Sequence, residues 1–384
     1  VLKRVRTKVM LVAGEASGDL HAANLFRELQ KLVPGVKGVG MGGEHMREAG
    51  IDVRFDASNM GVIGLFEVLT HYREIHQALA MMKNIARTEK PDLLICVDYK
   101  SFNFQLAKAA KAYGVKVMFY VSPQVWAWKP WRVKDYGEIA DMMAVIFPFE
   151  VPIYEAHNYP VRYVGHPLAG KVKPSVSKAA AMAEFGLSAQ APVVGLLPGS
   201  RRGEIKRLLP VMLQAAQLLA ERMPGVQFVL PQAGTIKDDS ISRHLQDSPV
   251  PVKVAQGRTY DVLQCCDAVA TCSGTATLET ALMGVPMAIV YKLFEPSYWL
   301  GRMLVQVPHI GLPNIIAGRG IVPELIQHAA NPPAIADALE RMLKDKDYAA
   351  DMRRDLAEIK AELGEDGGSL AMAKLAAELL HRPA

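Results

Sequence analysis

Short apolar runs rich in β-branched residues alternate with longer stretches of helical period along almost the whole chain. The runs predict strands at Val9–Ala13, Val36–Gly40, Leu93–Val97, Val115–Val121, Met142–Phe147 and Val161–Val164. A second series follows at Val193–Leu197, Gln227–Leu230, Val252–Ala255, Ala268–Thr271 and Met287–Tyr291. Apolar strands separated by helices imply parallel sheets covered on both faces. Two such series imply two doubly wound, Rossmann-like α/β domains. Between them, Gly165-His166-Pro167 leads into the basic, proline-containing stretch Lys171-Val172-Lys173-Pro174. That composition puts the boundary within 165–192 and makes the junction of the domains the expected ligand site. Beyond about residue 333 only the helical period remains. The expected division is therefore 1–168, 169–345 and a helical tail, 346–384.

Composition narrows the class. Of 384 residues, 50% are hydrophobic and 22% charged, so the chain can bury more than one core and is not a disordered one. No apolar run reaches the roughly 18 residues of a spanning helix. The basic start (Lys3, Arg4, Arg6, Lys8) precedes only a short apolar run before Glu15 and Asp19, which reads as a first strand and not a signal peptide. Cys96, Cys265, Cys266 and Cys272 lack zinc or redox spacing, so they fit a reducing compartment as small core residues. A net charge of +5 suits an anionic substrate or membrane surface and is too weak to argue for nucleic acid.

Candidate chemistry clusters at the ends of predicted strands. Gly38-Val39-Gly40-Met41-Gly42-Gly43 is formally G-x-G-x-x-G, but it follows the second strand and lacks the later acidic partner. It reads as tight-turn chemistry. No Walker A, H-E-x-x-H or G-x-S-x-G motif occurs, which argues against P-loop ATPases, zincins and α/β-hydrolases. In the turn after the first strand, Gly14 and Gly18 let the backbone approach a ligand and Ser17 or Asp19 can cap the next helix, so the turn is either a site or an ordinary capped loop. Asp98 directly follows Leu93–Val97 and is either a general base or a cap for a helix starting near Ser101. Gly199, Ser200 and Arg201 either open a helix in the manner of a pyrophosphate contact or leave Arg201 a surface residue of a loop. At Ser273-Gly274-Thr275-Ala276-Thr277 a strand gives way to a helix whose first N–H groups aim at an anion. Glu279, one turn on, either accepts ribose hydroxyls or complements the helix dipole. The Asp345-x-Asp347 pair lies in a polar helical stretch away from any strand end, so no catalytic metal is expected, and the weakness of the G-x-G-x-x-G match leaves no cofactor expected either.

These stretches together resemble the lipid-A-disaccharide synthase family, inverting glycosyltransferases of GT-B architecture, from near residue 8 to near residue 380. The resemblance is carried by LVAGEASGD (11–19), Met60-Gly61-Val62-Ile63-Gly64, VDYKSFN (97–103), YVSPQVWAWKPWR (120–132), LLPGSR (196–201), SGTATLE (273–279) and LPNIIAGR (312–319). It implies two domains facing across a cleft, with the C-terminal helices packing back on the first. It also implies transfer of 2,3-diacylglucosamine from UDP to 2,3-diacylglucosamine 1-phosphate, with a β-1,6 linkage formed in one displacement. Asp98 is then the expected base with Glu15 the runner-up, Arg201 the group that stabilises the diphosphate, and Asn314 a donor-site contact carried over by motif. Trp126, Trp128 and Trp131 either line the acceptor side or pack in the core. A UDP-sugar epimerase of the same fold and a non-enzymatic lipid carrier are the alternatives.

Acylated substrates imply a bilayer. Leu65, Val68, Leu69, Tyr72, Ile75, Leu79 and Met82 form a helical stripe, with Met60, Val62, Ile63 and Phe66 in apolar surplus at its start. The stripe is either the core side of a helix or, at its start, an exposed patch for acyl chains flanked by Arg73, Lys83 and Arg87. The expectation is a cytoplasmic protein attached peripherally to an anionic inner membrane; a homodimer is compatible with the sequence.

Overall fold

Alternation along each strand of the first sheet feeds two separate cores. Val9, Leu11 and Ala13 point into one and Met10 and Val12 into the other, and Leu93, Ile95 and Val97 alternate with Leu94 and Cys96 in the same way. A computed structural model describes residues 7–57, 67–123, 131–232, 236, 239–293, 308–365 and 367–381. Its contacts divide the chain into Val1–Pro167 with Glu365–Ala384, and Leu168–Gly364.

The first unit holds β1 (Lys8–Ala13), β2 (Lys37–Gly42), β3 (Ile51–Asp56), β4 (Leu93–Val97), β5 (Lys116–Tyr120), β6 (Met142–Val145) and β7 (Val161–Tyr163). All pair in parallel in the order β3-β2-β1-β4-β5-β6-β7, so the topology switches direction between β1 and β4. Helix α1 (Ala16–Leu32) and the last helix, Ser369–His381, cover one face. On the other lie α3 (Glu67–Glu89), α4 (Lys100–Ala112) and Arg132–Ile139. The second unit holds β8 (Val193–Leu197), β9 (Gln227–Gln232), β10 (Val252–Gln256), β11 (Ala268–Cys272), β12 (Met287–Tyr291) and β13 (Glu324–Ile326). Its parallel order is β10-β9-β8-β11-β12-β13, with the switch between β8 and β11. Each unit is doubly wound, as the two series of apolar runs require.

The structure differs from the sequence reading in four places. Two strands were not expected. β3 reads Ile-Asp-Val-Arg-Phe-Asp, exposed at alternate positions and fully buried only at Ile51, and β13 is three half-buried residues. Both are edge strands, half solvated and so without a continuous apolar run. Gly38, Gly40 and Gly42 of the G-x-G-x-x-G stretch lie within β2, and only Gly43 stands in the turn after it, as the N-cap of the next helix. A Cβ on Gly40 would stand 1.8 Å from the Leu11 carbonyl oxygen, so that glycine is required by close approach to β1. Asp19 does not cap its own helix. Buried, it accepts the backbone N–H groups of Gly43 (2.6 Å), His45 (3.0 Å) and Met46 (3.2 Å), capping α2 (Glu44–Glu48), while Ser17 lies exposed in the first turn of α1. The helical tail divides. Helix Lys346–Leu363 packs in the second unit, where Asp345 caps it through Tyr348 N–H (3.0 Å) and Asp355 pairs with Arg319 (2.8 Å); only Ser369–His381 returns to the first.

Along α3 the stripe faces the core from Ile75 onward, with Leu79 and Met82 buried. Met60, Ile63 and Phe66 lie outside the described residues, as do Trp126 and Trp128 and the side chain of Leu69. Trp131 is 64% exposed, which removes it from the core. The four cysteines are free and buried.

Candidate functional site

In the second unit the switch between β8 and β11 opens a 260 Å³ cavity at the carboxyl ends of the strands. That is the place where doubly wound sheets bind ligands. Gly199, Ser200 and Arg201 line one side; Ser273, Gly274, Thr275, Ala276 and Glu279 line the other. The sequence separates these two groups by some seventy residues, and the parallel pairing of β8 with β11 brings them together.

The first loop is held by a residue that motif reading missed. Glu204 Oε2 accepts the N–H groups of Ser200 (3.1 Å) and Arg201 (3.2 Å), closing the start of helix Arg202–Arg222. Gly199 has φ +113, and a Cβ there would come 2.3 Å from Glu204 Oε2, so glycine alone permits the turn. The Arg201 side chain is 84% exposed, with Nη1 3.6 Å from Glu204 Oε1. It is a cation on the rim, free to turn toward an anion. The signal for Glu204 was its spacing: three residues after the N-cap, the position from which a carboxylate reaches back.

On the opposite side β11 runs into Ser273, and Gly274 is the N-cap of helix Thr275–Leu282. The amino end of this helix, where Gly274, Thr275 and Ala276 line the cavity, carries partial positive charge. Glu279 Oε1 accepts the hydroxyl of Tyr260 at 2.8 Å. Burial raises the Glu279 carboxyl above its ordinary pKa, and the Tyr260 bond works in the opposite direction. Burial and the charge of Glu279 both push the Tyr260 phenol up, so it remains a donor. Cys272 is pushed up to about 12, by burial first and the charge of Glu204 second, which leaves it a neutral wall and not a nucleophile.

Asn314 does not reach this cavity. It is 1% exposed and saturated: Oδ1 accepts Ile321 N–H (2.8 Å) and Val322 N–H (3.0 Å), while Nδ2 donates to Val322 O (2.9 Å) and Glu324 Oε1 (2.8 Å). Glu324 in turn accepts the N–H groups of Ile310 (3.0 Å) and Gly311 (2.9 Å), and the Ser273 hydroxyl donates to Ile310 O at 3.2 Å. Asn314 thus anchors a loop that touches the pocket lining. The LPNIIAGR motif does not encode this long-range packing.

In the first unit the switch between β1 and β4 gathers the other candidates. Asp98 leaves β4 with φ +31, one residue ahead of Tyr99, the N-cap of α4, and its N–H donates to Tyr120 O at 3.3 Å. Next to it Val121 leaves β5 with φ +66, an outlier for a β-branched residue. Two adjacent strand ends in sparsely populated backbone conformations are a common mark of functional sites. Glu15, the exposed N-cap of α1, belongs to the same corner: after burial, its charge is the second cause raising the Tyr99 phenol.

Comparison with known proteins agrees with this geometry. A family model described as Lipid-A-disaccharide synthetase matches residues 9–378. The lipid-A-disaccharide synthase of Geobacter metallireducens is 51% identical over 373 residues, 97% of each chain. That of Coxiella burnetii is 40% identical over 372 residues, 97% of this chain and 98% of its own. Among solved structures, UDP-GlcNAc 2-epimerase from Neisseria meningitidis bound to UDP-GlcNAc aligns with a TM-score of 0.61 at 14% identity, over 97% of this chain and 99% of that one. The glycotransferase of kitacinnamycin aligns with a TM-score of 0.62, also at 14% identity, over 98% and 99%. At such low identity these two show a common fold and nothing more.

Proposed function

The chain belongs to the lipid-A-disaccharide synthase family, and from that premise we propose how its residues divide the work of a UDP-sugar glycosyltransferase. The enzyme forms the lipid A disaccharide. It joins UDP-2,3-diacylglucosamine to 2,3-diacylglucosamine 1-phosphate and releases UDP. The 6-hydroxyl of the acceptor attacks the anomeric carbon as the bond to the UDP oxygen breaks, so configuration inverts in one step. Asp98 takes the hydroxyl proton, in the role of general base. The diphosphate gains charge as it leaves, and Arg201 and the N–H groups after Ser273 stabilise it. Glu279, steadied by Tyr260, holds the ribose.

The observation that carries this reading is the cavity at the β8–β11 switch, where a helix amino end, a rim arginine and a half-buried carboxylate converge. They match the diphosphate and the sugar of a nucleotide in turn. An epimerase needs the same pocket but no acceptor, and a lipid carrier needs neither Arg201 nor Glu279. Incubation with diacylated donor and acceptor separates the three. Disaccharide and UDP are expected in equal amounts; interconversion of the UDP-sugar alone, or lipid transfer without UDP, overturns the assignment.

The membrane belongs to the same proposal. No helix among the described residues is long and apolar enough to span a bilayer. The acyl chains enter near Met60, Ile63, Phe66 and Leu69, with exposed Arg73 and Arg87 on α3 available to anionic headgroups. Assembly as a homodimer is compatible with this reading, and sedimentation equilibrium decides it.

A further inference from the structure

Asn103 closes the VDYKSFN stretch, and nothing in the reaction as described uses it. It is 2% exposed, in the first turn of α4. Its Nδ2 donates to the carbonyl of Val97, the last residue of β4, at 3.3 Å. That bond fixes the amide's orientation, because the flipped form would set two oxygens against each other. Its Oδ1 then has no protein hydrogen-bond partner among the described residues. Leaving a buried amide oxygen unsatisfied costs about 1–3 kcal/mol, so such atoms in native proteins usually meet water.

A place for water adjoins it. Asn103, Asp98, Tyr99 and Val121 line a small cavity with about 10 Å³ of room for a water centre, at the lower limit of what one molecule needs. Cys96, Phe119 and Pro123 complete its lining. Asp98 and Val121, the two residues with positive φ at the ends of β4 and β5, both line it.

We propose that Asn103 is a positioning residue for Asp98, acting through one buried water that donates one hydrogen to Asn103 Oδ1 and the other to the Asp98 carboxylate. The inference rests on the reading of Asp98 as the base. The water holds the carboxylate in one rotamer, directed at the acceptor hydroxyl, and stabilises its ionised form. Other titratable groups meet at this corner. They are Glu15 from the β1 turn, Cys96 and Tyr99 beside Asp98, Tyr120, whose ring lies 6.0 Å from His21 of α1, and Tyr136 of helix Arg132–Ile139, which interacts with Cys96.

The test uses the full-length enzyme with both diacylated substrates. Asn103→Leu, similar in volume, is expected to lower kcat by about 10–100-fold with KM nearly unchanged. It should also move the acid limb of kcat/KM upward by about half to one pH unit, because the carboxylate loses a donor. Asn103→Ser keeps an acceptor and leaves room for water, so it should restore most of kcat. A crystal structure should place a water within hydrogen-bond reach of both Asn103 Oδ1 and Asp98. Thermal unfolding of each variant separates misfolding from the effect sought. A purely structural asparagine would lower stability in Asn103→Leu and Asn103→Ser alike and leave the limb in place, which overturns the proposal. The pH profiles are repeated in Glu15→Gln and His21→Gln backgrounds; a shift that vanishes in either assigns the limb to that group and overturns it also. Near-normal turnover of Asp98→Asn would remove the base assignment and this proposal together. Lost turnover in Asp98→Asn with an unmoved limb in Asn103→Leu removes this proposal alone.

Discussion

The hydroxyl of Tyr260 donates to Oε1 of Glu279 at 2.8 Å, across nineteen residues of sequence and from a different helix. It fixes the carboxylate at the wall of the pocket and leaves Oε2 to meet a ligand. Tyr260→Phe should weaken UDP binding roughly tenfold, the worth of one hydrogen bond to a charged group, with little change in kcat. Glu279→Ala should weaken it further. Titration calorimetry with UDP checks both; an unchanged affinity in Glu279→Ala would detach the carboxylate from the ribose.

Loss of the base and loss of the rim cation should be distinguishable. Asp98→Asn is expected to keep UDP affinity and lower turnover by about 10²–10⁴-fold. In the proposed role, where the guanidinium meets charge that grows in the transition state, Arg201→Ala should slow the chemical step more than it weakens UDP-sugar binding. Single-turnover kinetics make the comparison. Equal losses in binding and chemistry for Arg201→Ala would give it a ground-state role instead.

Asn314 should behave as an anchor. Asn314→Asp turns a donor into a second carboxylate oxygen facing Glu324 Oε1 and Val322 O, and about 2–4 kcal/mol of stability should be lost at neutral pH. The KM for the donor should rise as the loop against Ser273 loosens. Urea unfolding measures the first effect. Full stability with activity lost would instead mean a direct role at the donor.

His166 gives a pH dependence with a definite sign. Packed on Phe147 with ring centroids 5.0 Å apart, it is held near pKa 4 instead of 6.5, first by burial and then by His21. A depressed histidine resists protonation in the folded state, so the unfolded chain binds the extra proton between these values. Its contribution is complete above about pH 6.5 and fades toward pH 4, a loss on the order of 2–3 kcal/mol. Denaturant unfolding across this range should show the slope in the native protein and a flatter one in His166→Phe. Identical slopes would assign the proton to another group.

Replacing Ile63, Phe66 and Leu69 with serine should reduce cosedimentation with anionic vesicles and leave the melting temperature nearly unchanged. A fall of many degrees would place these side chains in the core, where the later part of the same stripe already lies.

Periodicity sufficed for every central strand, because a strand covered on both faces must be apolar at each position. The same rule hid β3 and β13, whose outer edges meet solvent. The walls of the cavity were legible where they are built from residues near in sequence: Gly199 to Arg201, and Ser273 to Glu279 with the helix they open. Partners remote in sequence were not legible. Asp19 capping α2, Tyr260 on Glu279, and Asn314 with Glu324 depend on which strands become neighbours. The reach of a side chain is a few ångströms in space, and only folding decides what lies within it.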